Sequence, residues 1–144
     1  MNSILDELVS FDTNEFIFAL RREPSRPTCE TLLFDRLEKL HLYIPLQVVI
    51  ELQHNLQDEE MRQVLLALTK AHVVTWDYTP APLERIQKWE ERGAKKGDAI
   101  IAAHLELAHV RYFISENRHF LAELSDLPFQ VLSSEEAVRL LSQQ

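Results

Sequence analysis

Short apolar, often β-branched runs recur along this 144-residue chain with amphipathic helical stretches between them, an alternation that few architectures can accommodate. Leu8 to Phe11 is such a run and stops at Asp12; His41 to Ile44, Val73 to Trp76, Arg111 to Ile114 and Phe129 to Leu132 read the same way. Between them, Thr13 to Leu20 places Phe16, Ile17 and Leu20 on one helical face, and Leu33, Leu37 and Leu40 mark a second helix. Pro45 suits the first position of a helix that continues from Leu46 to Leu56. A helix from about Glu59 carries Met61, Val64, Leu65 and Leu68, and another spans Leu83 to Ile86 after Pro80 and Pro82. Gly97-Asp98 opens a helix bearing Ile100, Ile101, Leu105 and Ala108. Ser133 and Glu136 stand at capping-box spacing ahead of Ala137, Val138, Leu140 and Leu141. Parallel strands need helical crossovers, so the alternation predicts a three-layer α/β/α sandwich around a mostly parallel central sheet of about five strands. No repeat, linker or low-complexity tract interrupts it, and residues 1–144 read as one domain.

Composition removes several classes of function. A net charge of −8 argues against non-specific binding to duplex nucleic acid, where affinity comes from Lys and Arg displacing counterions. Two glycines, Gly93 and Gly97, are too few for a phosphate-cradling P-loop or a dinucleotide fingerprint, so no nucleotide cofactor of those kinds is expected. The single cysteine, Cys29, forms neither an internal disulfide nor a cysteine-based zinc site, and reads as a structural thiol at a helix start. The six histidines include no HExxH pattern and read as surface or core-edge residues. Trp76, Trp89 and Phe120 read as packing residues. The start of the chain lacks the basic-then-apolar order of a signal peptide, and Leu40 to Ile50 is too short to cross a membrane, so a cytoplasmic location is expected. Basic residues do gather locally: Arg85, Lys88, Arg92, Lys95 and Lys96 face only two acids over Arg85 to Lys96, and Arg21, Arg22 and Arg26 form a second group.

Ligands bind beyond the carboxyl ends of strands in sheets of this kind, which directs attention to Asp12 and to Ser115-Glu116-Asn117. The candidate constellation is Asp12, Glu51, Asp98 and Asn117, with Thr13, Asn14 and Ser115 beside them. Carboxylates converging in one cleft raise one another's pKa unless a cation neutralises them, and these hard oxygen donors suit Mg²⁺ or Mn²⁺. Each residue also has a bland explanation. Asp12 stands at capping-box spacing from Glu15, Asp98 caps the helix it opens, and Glu51 belongs to a polar stripe with Gln47 and Asn55. Only the joint pattern favours a site.

That pattern resembles the PIN-domain family, in length and layout the stand-alone VapC-type toxin ribonucleases, over essentially the whole chain. Phe11-Asp12-Thr13-Asn14 looks like the family's first motif, and Ile44 to Leu52, with Glu51 after an apolar stretch, like its second. Gly97 to His104 is the most specific match, and Phe113 to Phe120 looks like the fourth motif, with Asn117 where many members have Asp. The resemblance implies Asp12, Glu51 and Asp98 as metal-binding acids, Asn117 at the fourth catalytic position, and Thr13, Asn14 and Ser115 in support. It implies an endoribonuclease using Mg²⁺ or Mn²⁺ to hydrolyse RNA phosphodiesters to a 5′-phosphate and a 3′-hydroxyl. It also implies a homodimer blocked by a cognate antitoxin protein. Arg92, Lys95, Lys96, Arg21 and Arg22 are the basic residues placed to hold RNA phosphates. The alternative is an RNA- or protein-binding module of the same fold that has lost useful catalysis. Aspartate-phosphatase chemistry is excluded because Asn14 occupies the third position of the Asp-x-Asp it requires, and a phosphoreceiver lacks its paired acids.

Overall fold

The computed structural model describes residues 3–117 and 126–144, and in it the alternation resolves into five strands and, among the described residues, seven α-helices. They run β1 (Leu8–Phe11), α1 (Thr13–Leu20), α2 (Pro27–Asp35), β2 (His41–Pro45), α3 (Leu46–Asn55), α4 (Asp58–Leu68), β3 (Val73–Asp77), α5 (Leu83–Glu91), α6 (Lys96–Leu107), β4 (Tyr112–Ile114), β5 (Gln130–Leu132) and α7 (Ser134–Ser142). The sheet order is β3-β2-β1-β4-β5 and every pairing is parallel. Central strands covered on both faces need continuous apolar sequence, and Val9, Ser10 and Phe11 are all buried. Ser10 tolerates this because its hydroxyl donates to the Tyr43 carbonyl at 2.7 Å.

Two crossovers, through α1–α2 and α3–α4, step from β1 to β3, and the α5–α6 crossover returns to β4 on the other side of β1. With right-handed connections, opposite directions of travel put the two helix sets on opposite faces. The packing agrees: α1 lies on α2 and α2 on α7, while α5 lies on α6, and α3 touches both α1 and α6. The core includes Trp89, Phe113 and Phe129, with the Phe129 ring centroid 6.3 Å from each of the other two. The chain reverses its direction across the sheet at β1 and β4, so a crevice opens at their carboxyl ends. The Asp12 N–H extends that pairing by donating to the Ile114 carbonyl at 2.8 Å.

Several local expectations need correction. The second helix ends at Asp35, and Leu37 and Leu40 enter the core from the turn before β2, closed by Leu40 N–H to Leu37 O at 2.9 Å. Pro45 is the N-cap of α3 and not its first residue; its ψ of 157° is extended, as a cap requires. Helix α4 buries Val64, Ala67 and Leu68, leaving Leu65 exposed. Helix α6 starts before Gly97, with Lys95 as N-cap, so Asp98 is third in the helix and does not cap it. His104 is buried at 4% exposure, which disfavours its charged form and lowers its pKa. His119 and Phe120 of the fourth motif lie outside the described residues. Among the described residues, no helix is long and apolar enough to cross a membrane.

Candidate active site

Asp12 ends β1 and begins α1, and both of its carboxylate oxygens are engaged. Oδ1 accepts the Thr13 N–H at 2.8 Å, the helix cap anticipated from sequence, and Oδ2 accepts the Ser115 hydroxyl at 2.7 Å. Ser115, buried just past β4, in turn accepts the Asn117 N–H at 3.1 Å. The turn after β4 therefore orients the acid after β1. Thr13, also buried, donates its hydroxyl to Glu51 Oε1 at 2.5 Å, while Gln47 donates to Glu51 Oε2 at 3.1 Å. The polar stripe on α3 is real, and it aims Glu51 at the same crevice. Asp98 comes from the other helix layer, in the first turn of α6.

Electrostatics unite these three carboxyls. Burial raises the Asp12 pKa, the bonds from Ser115 and Thr13 oppose that, and the charges of Glu51 and Asp98 raise it further. Asp98 is raised by burial and by Glu51, with Lys95 opposing. Asp12 and Asp98, both raised by burial and by the charge of Glu51, offer with Glu51 hard oxygen donors of the kind that suit a small divalent cation. Asn117 and Asn14 are exposed beside this group.

The basic residues divide. Lys95 and Lys96 open α6 beside Asp98, and Arg92 caps α5 with its guanidinium 4.5 Å from the Trp89 ring centre. Arg21 and Arg22 are at the far end of α1, about 12 Å along the helix from Asp12. Arg21 binds Glu60 at 3.1 Å and the Asn55 carbonyl at 3.0 Å, and Arg22 pairs with Glu30 at 3.5 Å. The structure does not bring these two arginines to the acids.

Sequence reasoning overlooked a second polar group beneath the first. Glu15 makes no capping box; it is 2% exposed, and neither carboxylate oxygen has a hydrogen-bond partner among the described residues. Burial first, then the charge of Glu116, pushes its pKa up to about 8; the nearby Cys29 thiol opposes the rise and Asp12 adds a little to it. Burial and Glu15 likewise push the Cys29 thiol up. The available signal was spacing: Glu15 lies four residues before buried Ala19, on the apolar face of α1. Glu116 turns away from Asp12 and accepts the Ser134 N–H at 3.1 Å and the Ser134 hydroxyl.

The structure is thus a parallel α/β sandwich with Asp12 at the carboxyl end of β1, Glu51 held through the hydroxyl of its neighbour Thr13, and Asp98 of α6 near enough for its charge to act on Asp12. The family model for the PIN domain matches residues 9–125, and the chain belongs to the PIN-domain family. No curated protein matches it in sequence. Among solved structures it is similar to a chain of VapBC2 from Rickettsia felis, solved bound to a DNA fragment from its promoter. That match has a TM-score of 0.60 and 13% identity, covering 88% of this chain and 98% of that one. PAE2754 from Pyrobaculum aerophilum is similar at a TM-score of 0.56 and 17% identity, covering 96% and 98%.

Proposed function

We propose that this chain is a metal-dependent endoribonuclease, the toxin of a toxin–antitoxin pair, with Asp12, Glu51 and Asp98 as its metal-binding acids. The observation that carries the reading is the pair of neighbouring bonds at the carboxyl end of β1, where Ser115 holds Asp12 and the hydroxyl of Thr13, next in the chain, holds Glu51, with Asp98 close enough to act on Asp12 by charge. Those acids would hold Mg²⁺ or Mn²⁺, which when bound supplies Lewis-acid activation of water and neutralises charge developing on the phosphodiester. Ser115 and Thr13 hold the Asp12 and Glu51 carboxylates in fixed orientation through their hydroxyls. Lys95, and Lys96 one residue on, supply positive charge next to Asp98 where a phosphate would lie. Asn117 offers an uncharged oxygen at the fourth position, consistent with three acids carrying the cation. The likeness to a chain of VapBC2 supports a cognate antitoxin as partner, and the family resemblance adds a homodimer as the working form.

The test is incubation of the purified chain with total cellular RNA, tRNA included, plus Mg²⁺ or Mn²⁺, beside EDTA and Asp98→Asn controls. Discrete products that require both the metal and Asp98 are expected. RNA left intact, with metal binding unaffected by Asp98→Asn, overturns the reading in favour of a non-catalytic binding module.

A further inference from the structure

The buried group under the crevice has the composition and spacing of a second, sulfur-containing metal site. Glu15 on α1, Cys29 on α2 and Glu116 after β4 each present one ligand atom, and these atoms lie within 4.8 Å of one another. Three points no farther apart than that share a centre at most about 2.8 Å from each, close to the roughly 2.0–2.3 Å of zinc–oxygen and zinc–sulfur bonds. One separation already fits. The Cys29 thiol donates to Glu116 Oε1 at 3.5 Å, and a cation bound here would take the place of that proton between the two atoms. A tetrahedral ion with bonds of about 2.3 Å to sulfur and about 2.0 Å to oxygen spaces those ligands by roughly 3.5 Å.

An independent observation points to a ligand here: Glu15, 2% exposed, has both carboxylate oxygens without a hydrogen-bond partner among the described residues. A buried carboxyl with neither oxygen partnered is costly even when neutral, and a cation that displaces its proton is one of the few groups that would satisfy both oxygens. The surroundings are those of a supported site. Ser134 fixes Glu116 Oε1 through its N–H and hydroxyl, and is itself tied to Thr28 at 2.6 Å. A cavity of about 150 Å³, lined by Arg26, Thr28, Ser115, Glu116 and Glu135 among others, gives an ion a route to Glu116. Arg26 and Glu135 at this cavity carry opposite charges.

We infer that Glu15, Cys29 and Glu116 bind a borderline divalent cation, Zn²⁺ by the chemistry of its donors, at a site separate from the Asp12–Glu51–Asp98 group. A thiolate with two carboxylates suits zinc and disfavours Mg²⁺, which takes oxygen ligands and retains water. A site with three protein ligands leaves the fourth position to water.

The probe is Co²⁺, titrated under reducing conditions into the full chain and into Asp98→Asn, which weakens the other centre. Thiolate–cobalt charge transfer in the near ultraviolet reports binding at sulfur. One equivalent is expected to bring up that absorption equally in both proteins, and Zn²⁺ to bleach it. Cys29→Ser is expected to abolish it, and Glu15→Gln to weaken Co²⁺ binding about tenfold or more, each variant checked for native circular dichroism. No thiolate absorption in folded wild type, absorption that survives Cys29→Ser, or unchanged affinity in Glu15→Gln overturns the assignment. RNA cleavage dependent on Asp98 is read separately, so this site and the nuclease stand or fall independently.

Discussion

Replacing Asp12 by Asn separates a metal-binding acid from a helix cap, because the two roles predict opposite responses to Mn²⁺. Asn caps helices about as well as Asp, so the Thr13 N–H keeps its acceptor. The charge-assisted bond from Ser115 becomes a neutral one, a loss of about 1 kcal/mol. Against that loss, the substitution removes a buried charge raised in pKa by burial and by Glu51 and Asp98, so metal-free stability should stay within about 1 kcal/mol of wild type. For a chain this size that is about 3 °C in Tm. Mn²⁺ at a hundred times its dissociation constant stabilises a folded protein that binds it by about 2.7 kcal/mol, or about 8 °C on the same scale. Paired thermal melts by circular dichroism, with Mn²⁺ and with EDTA, should therefore show two near-coincident metal-free curves. Addition of Mn²⁺ should shift the wild type alone, and RNA cleavage should be lost in Asp12→Asn. An equal Mn²⁺ shift in both proteins, or full cleavage by the variant, refutes the reasoning.

Other outcomes follow from the same geometry. Ser115→Ala removes the hydroxyl that orients Asp12, and should lower the cleavage rate about tenfold or more while costing about 1–2 kcal/mol of stability; an unchanged kcat would remove Ser115 from the positioning role. His104 is buried with a lowered pKa, so the unfolded chain, titrating near 6.5, binds more protons than the folded one just below that pH. Stability at this position is present above about pH 6.5 and falls on acidification by at most about 1.4 kcal/mol per pH unit, until the lower folded pKa is reached. Urea unfolding at pH 7 and 5.5 should show a steeper loss for wild type than for His104→Gln, and parallel losses would contradict it. Trp89→Ala empties a 2%-exposed site against Phe129 and should cost about 3–5 kcal/mol in urea unfolding, with a drop below 1 kcal/mol showing that the core does not depend on it.

Several parts of this protein were legible residue by residue. Leu8–Phe11 and the runs of β2 and β4 declared themselves as strands because a central parallel strand is covered on both faces and so has no polar side to alternate. The start of α7 was equally plain, since Ser133 and Glu136 satisfy each other's backbone donors within three residues. Asp12 could be placed at a strand end and Asp98 at a helix start for the same reason: these are local facts, set by neighbours a few positions away.

Whether those residues meet is a different kind of fact. Asp12 and Asp98 are 86 positions apart, and only the return of the chain through α5 and α6 to the far side of β1 puts them in one crevice. The same packing decided against sequence expectation elsewhere. Arg21 and Arg22 stand as free cations in the sequence, but folding sets them at the far end of α1 against Glu60 and Glu30. Glu15 reads as a cap partner until α2 and the turn after β4 close over it. Periodicity and capping are written within a few residues, whereas burial, charge crowding and ligand convergence depend on which layers come to lie together, and that is decided only when the sheet is assembled.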